Sequence, residues 1–303
     1  MTRRRRTSSH VHGLLIIDKD AGLTSHDVVA RARKITGISR IGHTGTLDPI
    51  ATGVLVLCLG KATRLSEYLQ GHDKRYVATI RLGVSTNTYD AQGEVIQERP
   101  VPVLTIEQLR SILSRFAGPI GQRPPTFSAI KVQGTPAYRL ARRGEVVQLP
   151  ERQVIIHRLT LIDWSPPDLT IEVHCSAGTY IRSLAHDIGE AIGCGGHVRA
   201  LRRTASGPFT IEQAITLETL AELAAQGRWQ HQVLPIAAAV QDLRQVLVSE
   251  QETAALRHGQ PITADHAAQP DAIAAALTPD GQLVAIVRYD ADRNQWRPSK
   301  VLI

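Results

Sequence analysis

Residues 42–60 read Gly-His-Thr-Gly-Thr-Leu-Asp-Pro-Ile-Ala-Thr-Gly-Val-Leu-Val-Leu-Cys-Leu-Gly, and this stretch decides both the fold and the candidate site. The apolar run 54–59 predicts a buried strand that anchors the glycine-rich turn before it. Glycines give the backbone freedom on both sides of Asp48, and Pro49 stiffens the chain just after it. The turn therefore presents one carboxylate on a firm support.

The polar residues of this turn are His43, Thr44 and Asp48, and the rest of the turn is small or apolar. One interpretation is an Asx turn, in which the Asp48 carboxylate only satisfies its own backbone. Folding alone does not require such a polar cluster, however. The full stretch therefore favours a catalytic carboxylate.

Length and composition indicate a soluble protein of two domains. The 303 residues can bury a large core, and 43% hydrophobic with 21% charged residues is ordinary for a globular chain. No apolar run approaches the roughly 20 residues that span a bilayer. The basic start is followed by an apolar stretch too short for a signal peptide. We therefore expect a cytoplasmic protein without membrane association.

Cysteines and histidines do not form a metal-binding pattern. Cys58, Cys175 and Cys194 are an odd number without a C-x-x-C pair, so we expect reduced, structural thiols. None of the 12 histidines has zinc-finger or metalloprotease spacing. We expect no bound metal.

Charge is divided unevenly along the chain. Residues 1–210 contain 28 Lys and Arg against 17 Asp and Glu, an excess of 11 positive charges, whereas residues 211–303 contain 7 against 11. The run Arg3–Arg6 predicts a disordered basic tail over residues 1–12, but the excess persists without it. A polyanionic partner such as RNA explains this distribution better than solubility does.

Residue patterns predict strands mixed with helices up to about residue 240. The predicted strands cover residues 13–18, 54–59, 75–84, 153–163 and 169–175, and the predicted helices lie between Ser25 and Gly37, 61 and 69, Thr105 and Gly118, and 179 and 192. Ser25 is the predicted N-cap of the first helix, and Thr105 with Gln108 predicts a capping box for the third. Residues 121–152 are rich in Pro, Gly and Arg and predict an excursion with a short basic helix at 137–143. A basic segment follows the last helix and runs through Arg203.

The last 60 residues predict a compact α+β unit. Ser249 and Glu252 form a capping box for a short helix, and strands are expected at 283–289 and 300–303. We expect a separate unit at residues 243–303. One interpretation of this unit is a generic oligomerisation or docking module.

The central motif resembles that of the TruB group of tRNA pseudouridine synthases. Further stretches follow in the family's order and at plausible spacing: Lys74-Arg75-Tyr76, Pro124 to Lys131, Ala137 to Gly144, Gly178 to Leu184 and Val198 to Thr204. The resemblance implies an α+β fold. It places a pseudouridine synthase catalytic domain at 13–240, with a mixed, mainly antiparallel sheet and flanking helices, an RNA-gripping insertion at 121–152, and a PUA-like RNA-binding domain at 243–303.

The reaction that this resemblance implies breaks the C1′–N1 bond of uridine and makes a C1′–C5 bond, with no net electron transfer. It needs no cofactor, and the chain has neither a G-x-G-x-x-G nor a P-loop fingerprint. A carboxylate can serve it as nucleophile, electrostatic partner or proton acceptor, and Asp48 is the candidate. An ordinary glycosidase would use two cooperating carboxylates, whereas the motif offers one.

An ionised Asp48 in a dry pocket needs a cation, because desolvation alone would raise its pKa. Arg182 matches the family's arginine in this role, and a surface helix arginine is the alternative. Tyr76 and Tyr180 would bracket an extruded base, with Tyr76 also a candidate for proton transfer from C5. Leu201 would line the pocket, and the alternative for both tyrosines is a half-buried structural role.

Other residues are expected to contact the RNA. His43 would support the space that the flipped uridine leaves, and Lys19 is a support residue, although Asp20 stands where the family usually has proline. Phosphate contacts are expected from Lys131, Arg139, Arg142, Arg143, Arg199 and Arg202. A mobile solvated hairpin is the alternative for the excursion.

We therefore expect a stand-alone tRNA pseudouridine-55 synthase that flips the T-loop uridine out of the stack. Its partner would be the T-arm stem-loop of tRNA, with no guide RNA, and the protein would be a monomer. Two alternatives remain: a guide-RNA-dependent relative, and a non-catalytic RNA-binding or tRNA-folding protein. The sequence leaves open whether Asp48 attacks C1′, attacks the base or assists elimination.

Overall fold

The computed structural model describes residues 11–128, 130–132, 134–143, 145, 149–264 and 268–303, with the backbone alone at positions 131, 132, 136, 138, 141 and 142. Up to residue 240 the elements are β1 (Gly13–Lys19), α1 (Ser25–Thr36), β2 (Ile41–His43), β3 (Thr52–Leu59), α2 (Ser66–Gln70), β4 (Lys74–Leu82), β5 (Val84–Thr86), β6 (Val95–Glu98), α3 (Ile106–Ser114), β7 (Gly118–Gln122), β8 (Lys131–Val132), β9 (Thr135–Pro136), α4 (Ala137–Arg142), β10 (Arg152–Ser165), β11 (Asp168–Cys175), α5 (Ile181–Ile192), β12 (Gly196–Ser206), β13 (Phe209–Thr210) and α6 (Leu217–Ala225). Short 3₁₀ helices cover Gly60–Leu65, Ile211–Gln213, Trp229–Gln232 and Ile236–Val240. The remaining elements are β14 (Arg244–Leu247), α7 (Glu250–Arg257), β15 (Ile262–Thr263), β16 (Ile273–Leu277), β17 (Leu283–Asp290) and β18 (Gln295–Val301).

Nine strands form the large sheet, in the order β1-β3-β12-β4-β11-β10-β7, with β2 beside β3 and β13 beside β12. Strand β12 runs parallel to β3, and the other neighbouring pairs of this sheet in the described residues are antiparallel. The sheet is therefore mixed and mainly antiparallel, and the predicted α+β class is confirmed.

Both faces of β1 and β3 are buried, which explains their nearly continuous apolar sequence. On β1, Leu15 and Ile17 join the core formed with α1, α3, α5 and α6. The alternate residues Leu14 and Ile16 point to the opposite face of the sheet. Side chains of the C-terminal part, among them Ile286, cover that second face.

The C-terminal part has a five-stranded sheet in the order β14-β16-β17-β18-β15, with α7 packed on β17 and β18. It has an apolar core of its own around Val287 and Trp296. It is also joined to the large-sheet part by hydrogen bonds, since Lys300 Nζ donates to the Arg64 carbonyl at 2.8 Å. The division at residue 243 and the PUA-like assignment stay predictions.

Two helix ends differ from the prediction. The N-cap of α1 is Thr24, whose hydroxyl accepts from the Asp27 amide at 3.1 Å, and Ser25 is the first helical residue. Helix α3 ends at Ser114, and Gly118 instead opens β7 with a φ of 90°. The capping boxes predicted at Thr105 and Ser249 are confirmed.

The predicted basic segment through Arg203 is a strand, β12, between β3 and β4. Its arginines hide the strand pattern, because Arg203 is buried although it is charged. At the other end of the chain, the strand predicted at 300–303 is the end of β18, which runs over Gln295–Val301.

The predicted tail (1–12) and the predicted excursion (121–152) both include residues that contact the core or pair in the large sheet. Residues 1–10, including Arg3–Arg6, lie outside the described residues, whereas Val11 packs against the core and the His12 ring accepts from the Lys61 amide. Gln122 and Arg152 pair in the large sheet. The excursion therefore leaves the sheet after β7 and returns to it at β10.

We predict that the interface between the two parts contributes strongly to stability. Ile286→Ala should lower the free energy of unfolding by about 2–4 kcal/mol, because it removes a fully buried side chain from the shared apolar cluster. Leu247→Ala is the matched control, because Leu247 is 67% exposed. Urea titrations of both variants provide the measurement, and equal losses would contradict the assignment.

Candidate functional site

The turn that carries Asp48 joins β2 to β3, and hydrogen bonds of the residues just before Asp48 hold it in place. The Ser25 hydroxyl accepts from the Leu47 amide at 2.9 Å and donates to the Leu47 carbonyl at 3.2 Å. Arg203 Nη2 donates to the Gly45 carbonyl at 3.2 Å. Within the described residues, the hydrogen bond to the Asp48 carboxylate comes from an arginine and not from the turn's own backbone. The carboxylate is therefore not used in an Asx turn.

Gly53 is needed where β3 leaves this turn. Its φ is 97°, and a Cβ there would lie 2.2 Å from the Arg203 carbonyl oxygen. A side chain would therefore force β12 away from the turn.

Arg182 lies in the first turn of α5 and is 5% exposed. Its Nη2 donates to Asp48 Oδ1 at 3.1 Å, and its Nε lies 2.9 Å from Asp48 Oδ2. The guanidinium thus contacts both carboxylate oxygens. Nη1 donates to the Thr88 carbonyl at 3.0 Å and Nη2 to the Phe127 carbonyl at 3.1 Å. The structure brings together the predicted carboxylate and the predicted arginine.

Asp90 is a second carboxylate at this arginine, and sequence reasoning missed it. Its Oδ2 lies 3.6 Å from Arg182 Nη1, and its side chain is 7% exposed. Its Oδ1 accepts from the Thr88 hydroxyl at 2.7 Å and from the Gln92 amide at 3.0 Å. The only sequence signal was a polar turn before a glycine, which is also typical of an ordinary loop.

Asp48 and Arg182 line a cavity of about 710 Å³. Ligand sites in proteins typically enclose about 300–1,000 Å³, so the cavity suits a nucleotide-sized group. The other predicted residues in its lining are His43, Tyr76, Tyr180 and Leu201. Six of the predicted site residues, distant in sequence, therefore share one cavity.

Burial sets the ionisation of the rings in this cavity. It raises the pKa of both the Tyr76 and the Tyr180 phenol, so both are protonated at neutral pH. Burial also lowers the pKa of His43, with smaller contributions from His26 and Arg203. The His26 and His43 rings meet edge to face, with centroids 5.4 Å apart. His43 is therefore a neutral ring, not a cation, at neutral pH.

Gln122 fixes the backbone at Tyr180, and sequence reasoning missed this contact too. Its Oε1 accepts from the Tyr180 amide at 2.7 Å, and its Nε2 donates to the Tyr180 carbonyl at 2.9 Å. The first turn of α5 is thereby attached to β7. Arg182 lies two residues further on, so the same contact helps to place the guanidinium.

Lys19 is fully buried but does not line the cavity. Its Nζ donates to the carbonyls of Asp20 at 2.8 Å and Leu23 at 2.7 Å, and reaches the Pro49 carbonyl at 3.4 Å. It thus connects the end of β1 to the residue after Asp48, with Asp20 in the place of the family's proline. Burial lowers the pKa of Lys19 to about 8.

The four predicted phosphate-binding residues with described side chains, Arg139, Arg143, Arg199 and Arg202, lie outside the cavity lining. Arg199 contacts Asp168, and Arg202 Nη2 lies 2.8 Å from Asp18 Oδ2, so both already have acidic partners. Arg139 and Arg143 are exposed in the excursion, and Arg143 Nη1 lies 4.0 Å from Glu145 Oε1. The side chains of Lys131 and Arg142 lie outside the described residues.

Two general features of the described residues bear on function. They contain no group of three or more His, Cys, Asp or Glu side chains that could hold a metal ion. They also contain no helix that is long and apolar enough to cross a membrane.

Family models match consecutive parts of the chain. The model described as "TruB family pseudouridylate synthase (N terminal domain)" matches residues 33–181. "tRNA pseudouridylate synthase B C-terminal domain" matches residues 182–248, and "tRNA Pseudouridine synthase II, C terminal" matches residues 243–303.

Individual proteins match over nearly the full length. A tRNA pseudouridine synthase B from Xanthomonas campestris pv. campestris (strain B100) is 44% identical over 291 residues, 96% of this chain and 94% of that protein. A protein of the same name from Arthrobacter sp. (strain FB24) is 46% identical over 288 residues, 91% of this chain and 92% of that protein. A chain in the crystal structure of a Cbf5-Nop10-Gar1 complex superposes with a TM-score of 0.75 at 29% identity, covering 96% of this chain and 85% of that chain.

We predict a distinctive pH dependence from Lys19. Its pKa falls from 10.5 in the unfolded chain to about 8 in the fold, so the unfolded chain binds more protons between these values. This group therefore makes folding more favourable as the pH rises from 8 to 10.5, and its burial cost is fully present below pH 8. Wild-type stability should rise relative to Lys19→Met across that window.

Melting temperatures of both proteins from pH 7 to pH 10 measure this difference. Lys34→Met is the control for removing a lysine, because Lys34 is exposed. A constant difference between wild type and Lys19→Met would contradict the assignment.

Proposed function

The chain belongs to the TruB family of pseudouridine synthases, and on this premise we propose that it converts a uridine of tRNA, the T-loop uridine at position 55, into pseudouridine. The observation that carries the proposal is the ion pair between the half-buried Asp48 and the buried Arg182 at the wall of the cavity. The pair fixes the orientation of a carboxylate in a place where it can meet a nucleotide.

The proposed chemistry is an isomerisation of the nucleotide itself. The C1′–N1 bond breaks, the base turns, a C1′–C5 bond forms, and the proton that C5 loses is balanced by the proton that N1 gains. Asp48 is the group we place at the reacting atoms, as nucleophile toward C1′ or the base, or as the group that assists elimination. Arg182 contacts both oxygens of Asp48 and thereby sets the direction of the carboxylate.

Tyr76, Tyr180 and Leu201 are the residues that we propose contact the flipped base. An extruded base loses its stacking, and an aromatic face replaces it. The raised pKa of Tyr76 means that its phenol is protonated at neutral pH, so it starts as a stacking ring and hydrogen-bond donor rather than as a base. Any proton transfer from C5 to Tyr76 would require its ionisation first.

His43 and the basic residues complete the proposed RNA contacts. A neutral, edge-packed His43 is suited to fill the space that the uridine leaves. An uncharged ring adds flat contact surface there without repelling the nearby Arg203 cation. We propose that Arg139, Arg142, Arg143 and Lys131 contact phosphates of the T-arm, and that Arg199 and Arg202 contribute only after exchange of their acidic partners.

We propose that the protein acts as a cytoplasmic monomer without a guide RNA. Relatives named as tRNA enzymes are 44% and 46% identical over more than nine-tenths of the chain. Chains from the solved complexes, one of them an H/ACA RNP bound to a substrate RNA, are 28% and 29% identical and extend beyond this chain. A non-catalytic RNA-binding role is the competing function, and an activity assay separates the two.

We predict that the wild-type protein forms pseudouridine in unmodified T-arm RNA with no guide or cofactor added. Asp48→Asn should reduce the rate at least about 10³-fold, because the amide keeps the shape but not the charge. RNA affinity should stay within several-fold of wild type. Pseudouridine mapping and filter binding measure the two quantities.

Arg182→Lys is the companion variant in this assay. Lysine restores the charge but not the two-nitrogen contact with Asp48, so activity should remain well below wild type. EDTA should not change the wild-type rate. RNA binding without product in the wild type would favour the non-catalytic function. Product that forms only with guide RNA would favour the alternative of a guide-RNA-dependent pseudouridine synthase.

We predict that neutralising Arg139, Arg142 and Arg143 lowers RNA affinity and flattens its dependence on salt. Each lost phosphate contact removes about 0.7–0.9 from the slope of log affinity against log salt. Arg110 and Arg115, both exposed near α3, give a matched double-neutralised control that should keep the wild-type slope. An unchanged slope in the triple variant would show that the excursion does not contact phosphate.

A further inference from the structure

Tyr89 adopts a backbone conformation that tyrosine rarely takes. Its φ is 61°, in the left-handed region that favours glycine and tolerates Asn and Asp. The other non-glycine residues with positive φ in the described part of the chain are Asp271 and Asn294, which are of the tolerated types. Something in the surrounding structure must therefore stabilise Tyr89 in this conformation.

The Tyr89 ring stacks on the ring of His186. The two ring centroids are 4.1 Å apart and the planes differ by 8°. His186 lies on α5 four residues after Arg182, so both side chains leave the same face of the helix. The stack thus attaches the turn at Tyr89 to the helix that carries Arg182, one helical turn beyond the guanidinium.

The residues on either side of Tyr89 contact Arg182 itself. The Thr88 carbonyl accepts from Nη1 at 3.0 Å, and Asp90 Oδ2 lies 3.6 Å from the same nitrogen. The Tyr89 carbonyl accepts from the Val198 amide at 3.0 Å, which fixes the turn to β12. The left-handed conformation at Tyr89 lets its ring point at His186 while its two neighbours reach the arginine.

From this arrangement we propose that Tyr89 and His186 are positioning residues for the reaction. Their stack holds the Thr88 carbonyl and the Asp90 carboxylate against Arg182, and the guanidinium so held aims Asp48 at the nucleotide. Neither ring lines the cavity, so neither touches the RNA base. The inference rests on the proposed function, since it assigns these residues to the same site.

The stacking contact requires a ring at each of positions 89 and 186. Burial raises the pKa of the Tyr89 phenol, so the ring is uncharged at neutral pH and acts by packing. Glycine at position 89 would relieve the backbone but would leave the turn without its attachment to α5. A ring at each position is therefore the feature that the proposal requires.

The test measures single-turnover rate and RNA affinity for wild type, Tyr89→Ala, Tyr89→Phe, His186→Ala and the double alanine variant. Tyr89→Ala should lower the rate about 10- to 100-fold, as expected when a catalytic group is misplaced by about 1 Å, with affinity within about threefold. Tyr89→Phe should restore most of the rate. The double variant should be no slower than the slower single variant, because one stack is lost in each case.

Asp271→Ala is the matched control for backbone strain, since Asp271 has a φ of 62° in the C-terminal sheet unit. It should lower the melting temperature without changing the rate at a temperature where every variant is folded. Rates of Tyr89→Ala and His186→Ala at the wild-type level would overturn the proposal, as would additive losses in the double variant. An inactive wild type would instead refute the proposed function.

Discussion

The contact on which the site depends is the burial of one guanidinium. Placing the Arg182 charge in a nearly dry interior is costly unless its donors are satisfied and its charge is balanced. The structure supplies the carboxylates of Asp48 and Asp90 and the carbonyls of Thr88 and Phe127. These partners come from three separate connections, so the arginine ties three loops together at the wall of the cavity.

That requirement explains why loops in this protein are attached so closely to the sheet. The Asp48 turn is held through Ser25 and Arg203, and the Asp90 turn is held through Val198. Each loop is thus fixed to an element whose other side packs in the main core. A carboxylate aimed in this way loses little conformational entropy when a substrate enters, because its orientation is already set.

What the sequence predicted well was local or strongly periodic. The apolar run before Leu59 and the capping box at Thr105 both form as expected, because neighbouring residues determine them. Strand β12 was missed because a strand in the middle of a sheet rarely carries buried arginines, and Arg203 donates to carbonyls of residues that are distant in sequence. Asp90 was missed for a related reason, since its partner Arg182 is far along the chain.

The structure also changes the meaning of the positive charge in the first 210 residues. Among the residues of this part that the structure describes, four cations have buried side chains and hydrogen bonds to carbonyl groups: Lys19, Lys74, Arg182 and Arg203. Arg199 and Arg202 are already paired with Asp168 and Asp18. Because interior cations organise the fold and paired ones must first exchange a carboxylate, the formal charge overstates what is ready to meet a polyanion. The positive charge that is available to a polyanion is therefore smaller than the formal count, and three of the buried cations, Lys74, Arg182 and Arg203, line the cavity instead.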